Sequence, residues 1–115
     1  MTVDELIAAT GFAAVVLADG GQTVTGGFVG DRPSEAIAKA REGCALITSL
    51  PNTAMVAAAY GTMASCLILT DGVTPGEDLV RAACGHEINL LQSPAGAFAT
   101  AVLVGRVLEK GTGAT

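Results

Sequence analysis

The sequence predicts a single α/β domain of three layers, built on a mainly parallel sheet with an N-terminal hairpin. A chain of 115 residues fits one domain. Half of its residues are hydrophobic and 15% are charged, which is enough apolar surface for a buried core. From residue 44 onward, short apolar runs alternate with helix-length segments, a pattern typical of parallel strand–helix–strand units. We expect the domain to span residues 1–110 and a flexible tail to follow at 111–115.

The first thirty residues predict a helix and two strands. Apolar residues at helical spacing indicate a helix over residues 3–10, which Gly11 can end. The runs "AAVVLA" (13–18) and "QTVTGGFVG" (22–30) predict strands. The turn sequence Asp19-Gly20-Gly21 between them is short, so we expect the two strands to pair as a β-hairpin.

Three strands and four helices are predicted in the rest of the chain. The runs "CALITSL", "CLILTD" and "INLLQ" indicate buried strands at 44–50, 66–71 and 88–92. Residues with capping side chains mark the expected helix starts, and one of them forms a capping-box pattern with Pro75 and Glu77. These caps are Ser34, Asn52, Thr74 and Ser93. The inward faces predicted for two of the helices hold Ala36, Ile37, Ala40, Leu79, Val80, Ala83 and Cys84.

The glycine pair Gly26-Gly27 interrupts the second predicted strand. Glycine weakens a strand, so a pair of glycines inside one indicates a bulge or a close approach by another backbone or a ligand. We therefore expect Gly26 or Gly27 to have a positive φ or to touch another backbone.

Composition excludes two classes of function. The net charge is −5, the pI is about 4.5, and the six Lys and Arg residues are scattered, so no basic patch is available for a nucleic acid. Three widely spaced cysteines and one histidine give no zinc spacing, so neither a metal nor a cofactor is predicted. Cys44 and Cys66 open apolar runs and are expected to be buried. Cys84 and His86 would suggest a nucleophile and its base, but neighbours in sequence rarely form such a pair.

Neither a membrane nor secretion is predicted. The longest apolar runs stop short of the length that spans a bilayer. The start "MTVDELIAAT" carries two acidic residues and lacks the basic region of a signal peptide. We expect a cytoplasmic protein.

Two uncharged segments predict a symmetric homodimer. The mean hydropathy of +0.55 is high for a small chain, in which surface dominates over volume. "TAMVAAAYGTMA" has no charged residue, and "AGAFATAVLVG" is apolar almost all round, whereas a surface helix normally shows a polar face. Two-fold pairing is the commonest way to cover such faces. The alternative is that the hairpin wraps over these helices within one chain.

Three separated segments resemble the DRTGG domain family in order and spacing. They are Thr25-Gly26-Gly27 with a short step to Asp31, the later "CLILT-x-G-x-x-P" strand and turn, and the closing "LLQSPAGAFATAVLVGRVL". The resemblance covers Val3 to Leu108. Thr23-Val24 stand where the family's name has Asp-Arg, so a contact that depends on that pair is absent from this sequence.

The resemblance implies a regulatory or dimerising part. Such domains occur fused to CBS-containing pyrophosphatases and to phosphotransacetylase-like enzymes. Short stand-alone members are often called similar to the serine kinase that phosphorylates HPr, and some accompany iron-only hydrogenase genes. The kinase name is testable from sequence, because a P-loop needs G-x-x-x-x-G-K-[ST]. Neither Lys39 nor Lys110, the two lysines of the chain, follows that pattern, so we do not expect phosphotransfer. The sequence also offers no set of nucleophile, base and orienting residue and no metal cluster, so we do not expect an enzyme.

The carboxyl ends of the predicted strands form the candidate binding surface. Ligands of open parallel sheets lie beyond these ends, where helix N-termini also attract anions. The predicted ligand-binding residues are Gly26, Gly27, Asp31, Thr48, Asn52, Thr70, Asp71 and Ser93. The alternative is that these polar residues are ordinary caps and that the glycine pair only forms a bulge.

Two functions remain open. The first is a non-enzymatic regulatory or ligand-sensing module that acts as a homodimer and binds a nucleotide-like small molecule. The second is a structural dimerisation or adaptor subunit for a separate redox enzyme, such as an iron-only hydrogenase system. The sequence does not distinguish them.

Overall fold

The computed structural model describes residues 1–113, and it describes the side chains of residues 1–110. The predicted flexible tail, residues 111–115, lies outside the fully described residues. The helices are α1 (Val3–Thr10), α2 (Pro33–Lys39), α3 (Thr53–Gly61), α4 (Glu77–Gly85) and α5 (Ala97–Gly113). The strands are β1 (Ala13–Val16), β2 (Gly26–Val29), β3 (Cys44–Thr48), β4 (Cys66–Leu69) and β5 (Leu90–Gln92). None of the helices in this part of the chain is long and apolar enough to cross a membrane.

The strands form one mixed sheet in the order β1-β5-β4-β3-β2. Strands β2 to β5 are parallel, and β1 is antiparallel to β5. Successive side chains of a strand alternate between faces, so Leu46 packs on one side of the sheet and Ile47 on the other. Helices α2, α3 and α4 cover the first side, and α1 and α5 cover the second. The predicted three-layer, mainly parallel α/β fold is confirmed.

The predicted N-terminal hairpin is wrong. Strands β1 and β2 lie at opposite edges of the sheet, and β1 pairs with β5 instead. Residues 17–25, which we call the crossing segment, run along the amino ends of β5, β4 and β3 to reach the far edge. The turn at Asp19-Gly20-Gly21 therefore redirects the chain onto distant partners and does not fold it back on β1.

Two buried polar side chains hold the crossing segment. Asn89 is fully buried, and its Nδ2 donates to Asp19 O at 2.8 Å and to Ser65 O at 2.9 Å, while its Oδ1 accepts from Asp19 N at 2.9 Å. The Ser65 hydroxyl donates to the carbonyl oxygens of Thr23 and Gly43. Buried polar groups must be hydrogen-bonded, and these bonds also satisfy the backbone of the segment. They explain why the chain crosses here.

Some predicted helix boundaries are confirmed. Helix α1 ends at Gly11, which has the left-handed φ of 75° that suits glycine. Asn52 caps α3 by accepting from Ala54 N at 2.8 Å, as predicted. Helix α1 also has a capping box between Thr2 and Glu5, which the sequence reasoning did not identify.

Three predicted caps are wrong. Helix α2 is capped at Arg32 rather than Ser34, because Pro33 already has the helical φ and begins the first turn. Helix α4 starts after Gly76, not Thr74, because the amide of Gln92 binds Val73 O at 2.7 Å and holds the preceding segment against the sheet. Helix α5 starts at Ala97, four residues after Ser93.

Two predicted inward side chains are exposed. Ile37 is 57% exposed and Cys84 is exposed, whereas Ala36, Leu79 and Ala83 are buried as predicted. The buried stripe of each short helix is narrower than the sequence pattern suggested.

The positive φ expected at Gly26 or Gly27 is wrong, whereas the contact with another backbone is present, since a Cβ added at Gly27 would lie 3.7 Å from Ala45 O. Gly26 and Gly27 pair with Cys44 and Ala45 in regular parallel register, and neither has a positive φ. The irregularity of the sheet lies on β1, between Ala14 and Val16.

Gly43, just before β3, is a glycine that the fold requires. Its φ is +80°, and an added Cβ would lie 2.8 Å from Thr25 Oγ1. We predict that Gly43→Ala lowers the free energy of unfolding by about 1–3 kcal/mol in urea titrations. Gly61→Ala is the matched control, since a Cβ there meets nothing within 4 Å among the described atoms, and it should be neutral or stabilising. Equal losses in both variants would contradict this account.

Candidate functional site at the amino ends of the strands

A cleft of about 650 Å³ opens at the amino ends of the parallel strands. Its walls are the crossing segment, the ends of α3 and α4, and the turn before β3. We call it the amino-end cleft. Its lining residues are Gln22, Thr23, Thr25, Glu42, Gly43, Ala59, Tyr60, Met63, Ala64, Ser65, His86, Glu87 and Ile88.

Helices α3 and α4 end in the same strained turn, and both turns line the cleft. After α3, Ala64 N donates to Ala59 O at 2.9 Å, and after α4, Ile88 N donates to Ala83 O at 2.9 Å. These are Schellman bonds, and the residue they enclose adopts the left-handed conformation in which glycine is usual. Here that residue is Met63 in one turn and Glu87 in the other, each with φ 56°. A non-glycine residue in this conformation costs about 1–2 kcal/mol.

Two aromatic rings form one wall of the cleft. The ring centroids of Tyr60 and His86 are 4.9 Å apart and the rings are tilted by 45°. Tyr60 is 59% exposed and Met63 is 62% exposed, so both large side chains present apolar surface at the cleft. A planar group of a ligand can stack on this surface.

The charges of the cleft are negative. Glu42 and Glu87 line it, and its lining residues include neither Lys nor Arg. The last carbonyl groups of α3 and α4 add partial negative charge at the same place. The cleft therefore favours a neutral or cationic planar group, and its carboxylates can accept hydrogen bonds from hydroxyl groups.

The predicted ligand-binding residues do not converge. Gly26 and Gly27 lie at the amino end of β2, whereas the other six lie at or beyond the carboxyl ends of the strands or at the start of a helix there. Those six are Asp31, Thr48, Asn52, Thr70, Asp71 and Ser93. Their binding of a ligand stays a prediction.

Asp31 joins the carboxyl ends of two strands. Its carboxylate accepts from Ser49 N at 2.9 Å, from the Thr48 hydroxyl at 2.8 Å and from the Ser49 hydroxyl at 3.0 Å. These hydrogen bonds, that of Ser49 N first, lower the pKa of Asp31. The carboxylate thus ties the chain after β2 to the end of β3.

The remaining carboxyl-end residues also bond within the chain. The Thr70 hydroxyl donates to Asp71 Oδ2 at 2.8 Å, and Asp71 N donates to Ala95 O at 2.7 Å. The buried hydroxyls of Ser93 and Thr100 lie 2.8 Å apart. These bonds hold the loops after β4 and β5 together.

The two cysteines that were predicted to be buried lie in the core. Cys44 and Cys66 are buried, and burial raises the pKa of Cys66 to about 12, so this thiol stays protonated. In the described part of the chain, no group of three His, Cys, Asp or Glu side chains is placed to hold a metal ion.

The sequence reasoning missed the amino-end cleft. The segments "GTMAS" (61–65) and "GHEIN" (85–89) follow uncharged or amphipathic helices and share a pattern of glycine, two variable residues, an apolar residue and a small polar residue. The single tyrosine of the chain, Tyr60, immediately precedes the first segment, and the single histidine, His86, lies in the second. This repeated helix ending was the available signal.

Asp31 should make stability depend on acid pH. The pKa of Asp31 is lower in the folded than in the unfolded protein. Its contribution to the free energy of unfolding is therefore present above the unfolded pKa of about 3.9 and is lost as the pH falls through the folded pKa. We predict that Asp31→Asn is less stable than the wild type at pH 7 and that this difference shrinks below about pH 4. The control is Asp78→Asn, an exposed carboxylate 3.8 Å from Arg81. Denaturant titrations from neutral to acid pH test it, and a difference that is constant with pH would contradict it.

Comparisons with known proteins agree with this fold. The model of the DRTGG domain family matches residues 7–107. A crystal structure of the CBS and DRTGG domains from the regulatory region of Clostridium perfringens pyrophosphatase, complexed with the activator diadenosine tetraphosphate, superposes with a TM-score of 0.73 at 18% identity. The match covers 93% of this chain and 47% of that one. No curated protein matches the chain in sequence. Since the family model spans most of its length, this chain belongs to the DRTGG domain family.

Proposed function

We propose that the chain is a cytoplasmic, non-enzymatic regulatory module that senses a nucleotide-like small molecule in the amino-end cleft and acts as a homodimer. Met63 and Glu87 carry this proposal. Both occupy left-handed positions at the cleft where glycine would fold with less strain. Residues with strained backbones cluster at functional sites. Such strain lowers stability and persists only where the surrounding fold holds the residue in place, so a strained residue is often kept for its function.

The chemistry of the cleft favours a nucleoside. Its volume of about 650 Å³ lies in the range typical of small-molecule sites. Tyr60 and His86 offer an aromatic surface for a base, and Glu42 and Glu87 can accept hydrogen bonds from ribose hydroxyls. The similar pyrophosphatase region, complexed with diadenosine tetraphosphate, supports a regulatory role of this kind.

Helix α5 supplies the surface for the proposed homodimer. The uncharged helix α3 needs no second copy, because it packs between α2 and α4 of its own chain. Helix α5, in contrast, leaves Phe98 84% exposed and Leu103 36% exposed. A hollow of about 200 Å³ lies nearby, between α5 and the edge strand β2, and Ala101, Gly105 and Val29 contribute to it.

The exposed Phe98 of one copy and the hollow beside Gly105 of the second copy complement each other across a two-fold axis. Phe98 and Gly105 are seven residues apart, about 10.5 Å along one face of the helix. If two α5 helices pack antiparallel with the axis between residues 101 and 102, each Phe98 lies over the Gly105 of the second copy. The same arrangement brings Arg106 towards the start of the opposite α5, where Asp71 lies beside Gly96. Apolar fit and charge thus favour the same pairing.

The adaptor function is the second candidate. Val29 on the open edge strand is 48% exposed and borders the same hollow, so this face can also accept a different protein. In that case the isolated chain is a monomer and the face is covered only in the complex.

Adenosine tests the ligand-sensing proposal. We predict that adenosine binds to the wild type and that Tyr60→Ala weakens this binding by about tenfold or more, because base stacking contributes about 1–3 kcal/mol. Phe98→Ala is the control, since Phe98 lies on α5 outside the cleft. Isothermal titration calorimetry measures both. Absence of binding at millimolar adenosine, or equal affinity in the two variants, would remove the cleft as the site.

Phe98→Asp tests the homodimer. We predict that the wild type has the mass of a dimer in light scattering at micromolar concentration and that Phe98→Asp has the mass of a monomer, because a buried unpaired carboxylate opposes association. Tyr60→Asp introduces the same charge on another exposed aromatic and should stay dimeric. A monomeric wild type would contradict the homodimer and favour the adaptor.

A further inference from the structure

A small basic hollow lies beside the glycine pair, at the open edge of the sheet. It has a volume of about 170 Å³, and its lining includes Thr25, Gly26, Gly27, Lys39 and Arg41. We call it the glycine hollow. The chain as a whole is acidic, with only six basic residues, so two of them at one small hollow stand out.

The internal structure does not require glycine at position 26. Gly26 has no positive φ, and a Cβ added there meets no described atom within 4 Å. Glycine inside a strand lowers stability by about 0.5–1 kcal/mol relative to alanine. A Cβ added at Gly27 would point towards Ile47, on the side of the sheet covered by α1 and α5. Because side chains alternate between the two faces of a strand, a Cβ added at Gly26 would point to the other side, towards α2 and the hollow. Glycine at 26 therefore keeps the hollow open.

Backbone donors also face this edge. Thr25 N donates to Gly43 O at 2.9 Å, towards β3. Gly30 N also donates towards β3, to Ile47 O at 3.0 Å, and the regular register of β2 places Gly26 and Phe28 in phase with Gly30. Because backbone N–H groups alternate in direction along a strand, those of Gly27 and Val29 point to the open edge. In the described part of the sheet, no strand pairs with this edge of β2. An acceptor that approaches here meets N–H groups as well as cations.

The two basic side chains are available to a ligand. Lys39 forms an ion pair with Glu35 at 3.3 Å, but the two side chains are 65% and 43% exposed, and a solvent-exposed pair of this kind is weak. Among the described residues, Arg41 forms no ion pair. Its guanidinium can bind two oxygens of a phosphate at once.

We propose that the glycine hollow binds the phosphate group of a phosphomonoester or inorganic phosphate. This site goes beyond the proposed function and does not depend on a ligand in the amino-end cleft, although Thr25 borders both cavities. The shared border allows one nucleotide to place its base in the cleft and its phosphate in the hollow.

Inorganic phosphate tests the proposal on the full chain. Calorimetry should detect binding of phosphate, with sodium chloride of equal ionic strength as the reference. Arg41→Gln should weaken that binding by about tenfold or more, because a bidentate charge-assisted contact is lost. Arg81→Gln removes the same charge from α4, where Arg81 pairs with Glu77 at 3.1 Å, and should leave the affinity unchanged. No binding at about 10 mM phosphate, or equal losses in both variants, would overturn the site.

Gly26→Val distinguishes a loss of phosphate binding from a loss of stability. The valine fills the hollow on a strand that favours β-branched residues, so the variant should fold with equal or higher melting temperature and lose phosphate binding. Gly61→Ala lies on α3 outside the hollow, where an added Cβ meets no described atom within 4 Å, and should retain it. Retained binding in Gly26→Val would overturn the proposal.

Two further binding measurements identify the source of the phosphate and test whether the anion lies in the amino-end cleft. Tyr60→Ala should still bind phosphate, even if it loses adenosine. If Tyr60→Ala loses phosphate while Arg41→Gln keeps it, the anion lies in the cleft and the proposal fails. If adenosine monophosphate binds more tightly than adenosine to the wild type, and this difference disappears in Arg41→Gln, the hollow binds the phosphate of a nucleotide. Equal affinities of adenosine and adenosine monophosphate, with phosphate binding intact, assign the hollow to free phosphate.

Discussion

The hydrogen bonds of Asn89 and Ser65 are the constraint on which the sheet order depends. Both side chains are buried at the amino ends of central strands, and each forms hydrogen bonds with the backbone of the crossing segment that also satisfy its own buried polar atoms. They let the chain pass from one edge of the sheet to the other, so β1 and β2 need not be neighbours. The crossing segment and Ser65 also form a wall of the amino-end cleft. The bonds that determine the topology therefore also build the cavity.

The parts of the fold that the sequence predicted are those in which local pattern and burial agree. Every residue of β3 and β4 is buried, and their unbroken apolar runs indicated this directly. The hairpin failed because a turn sequence states only that the chain changes direction. The partner that decided the direction, Asn89, is 70 residues from Asp19 in sequence. No local pattern could identify that pairing.

The candidate site was predicted less well, for a related reason. Polar residues after parallel strands often bind ligands, but here Asp31 accepts hydrogen bonds from the end of β3, and Asp71 accepts one from the neighbouring Thr70. The cleft at the other end depends on Met63 and Glu87 in a conformation that their residue types do not signal. Where residue type and conformation agreed, as at Gly11 and Asn52, the prediction held.

The pairing of β1 with β5 also has a consequence for the order of folding. Strands β2 to β5 follow one another through single helices, so each can join its neighbour by closing a short loop, whereas Ala13 reaches Gln92 only when almost the whole chain has been made. Strand β1 is thus made before β5 and can pair only after β5 has been made. Until it does, the apolar edge of β5 is open to other chains. The N-terminal segment acts as the chain's own protection against aggregation through that edge.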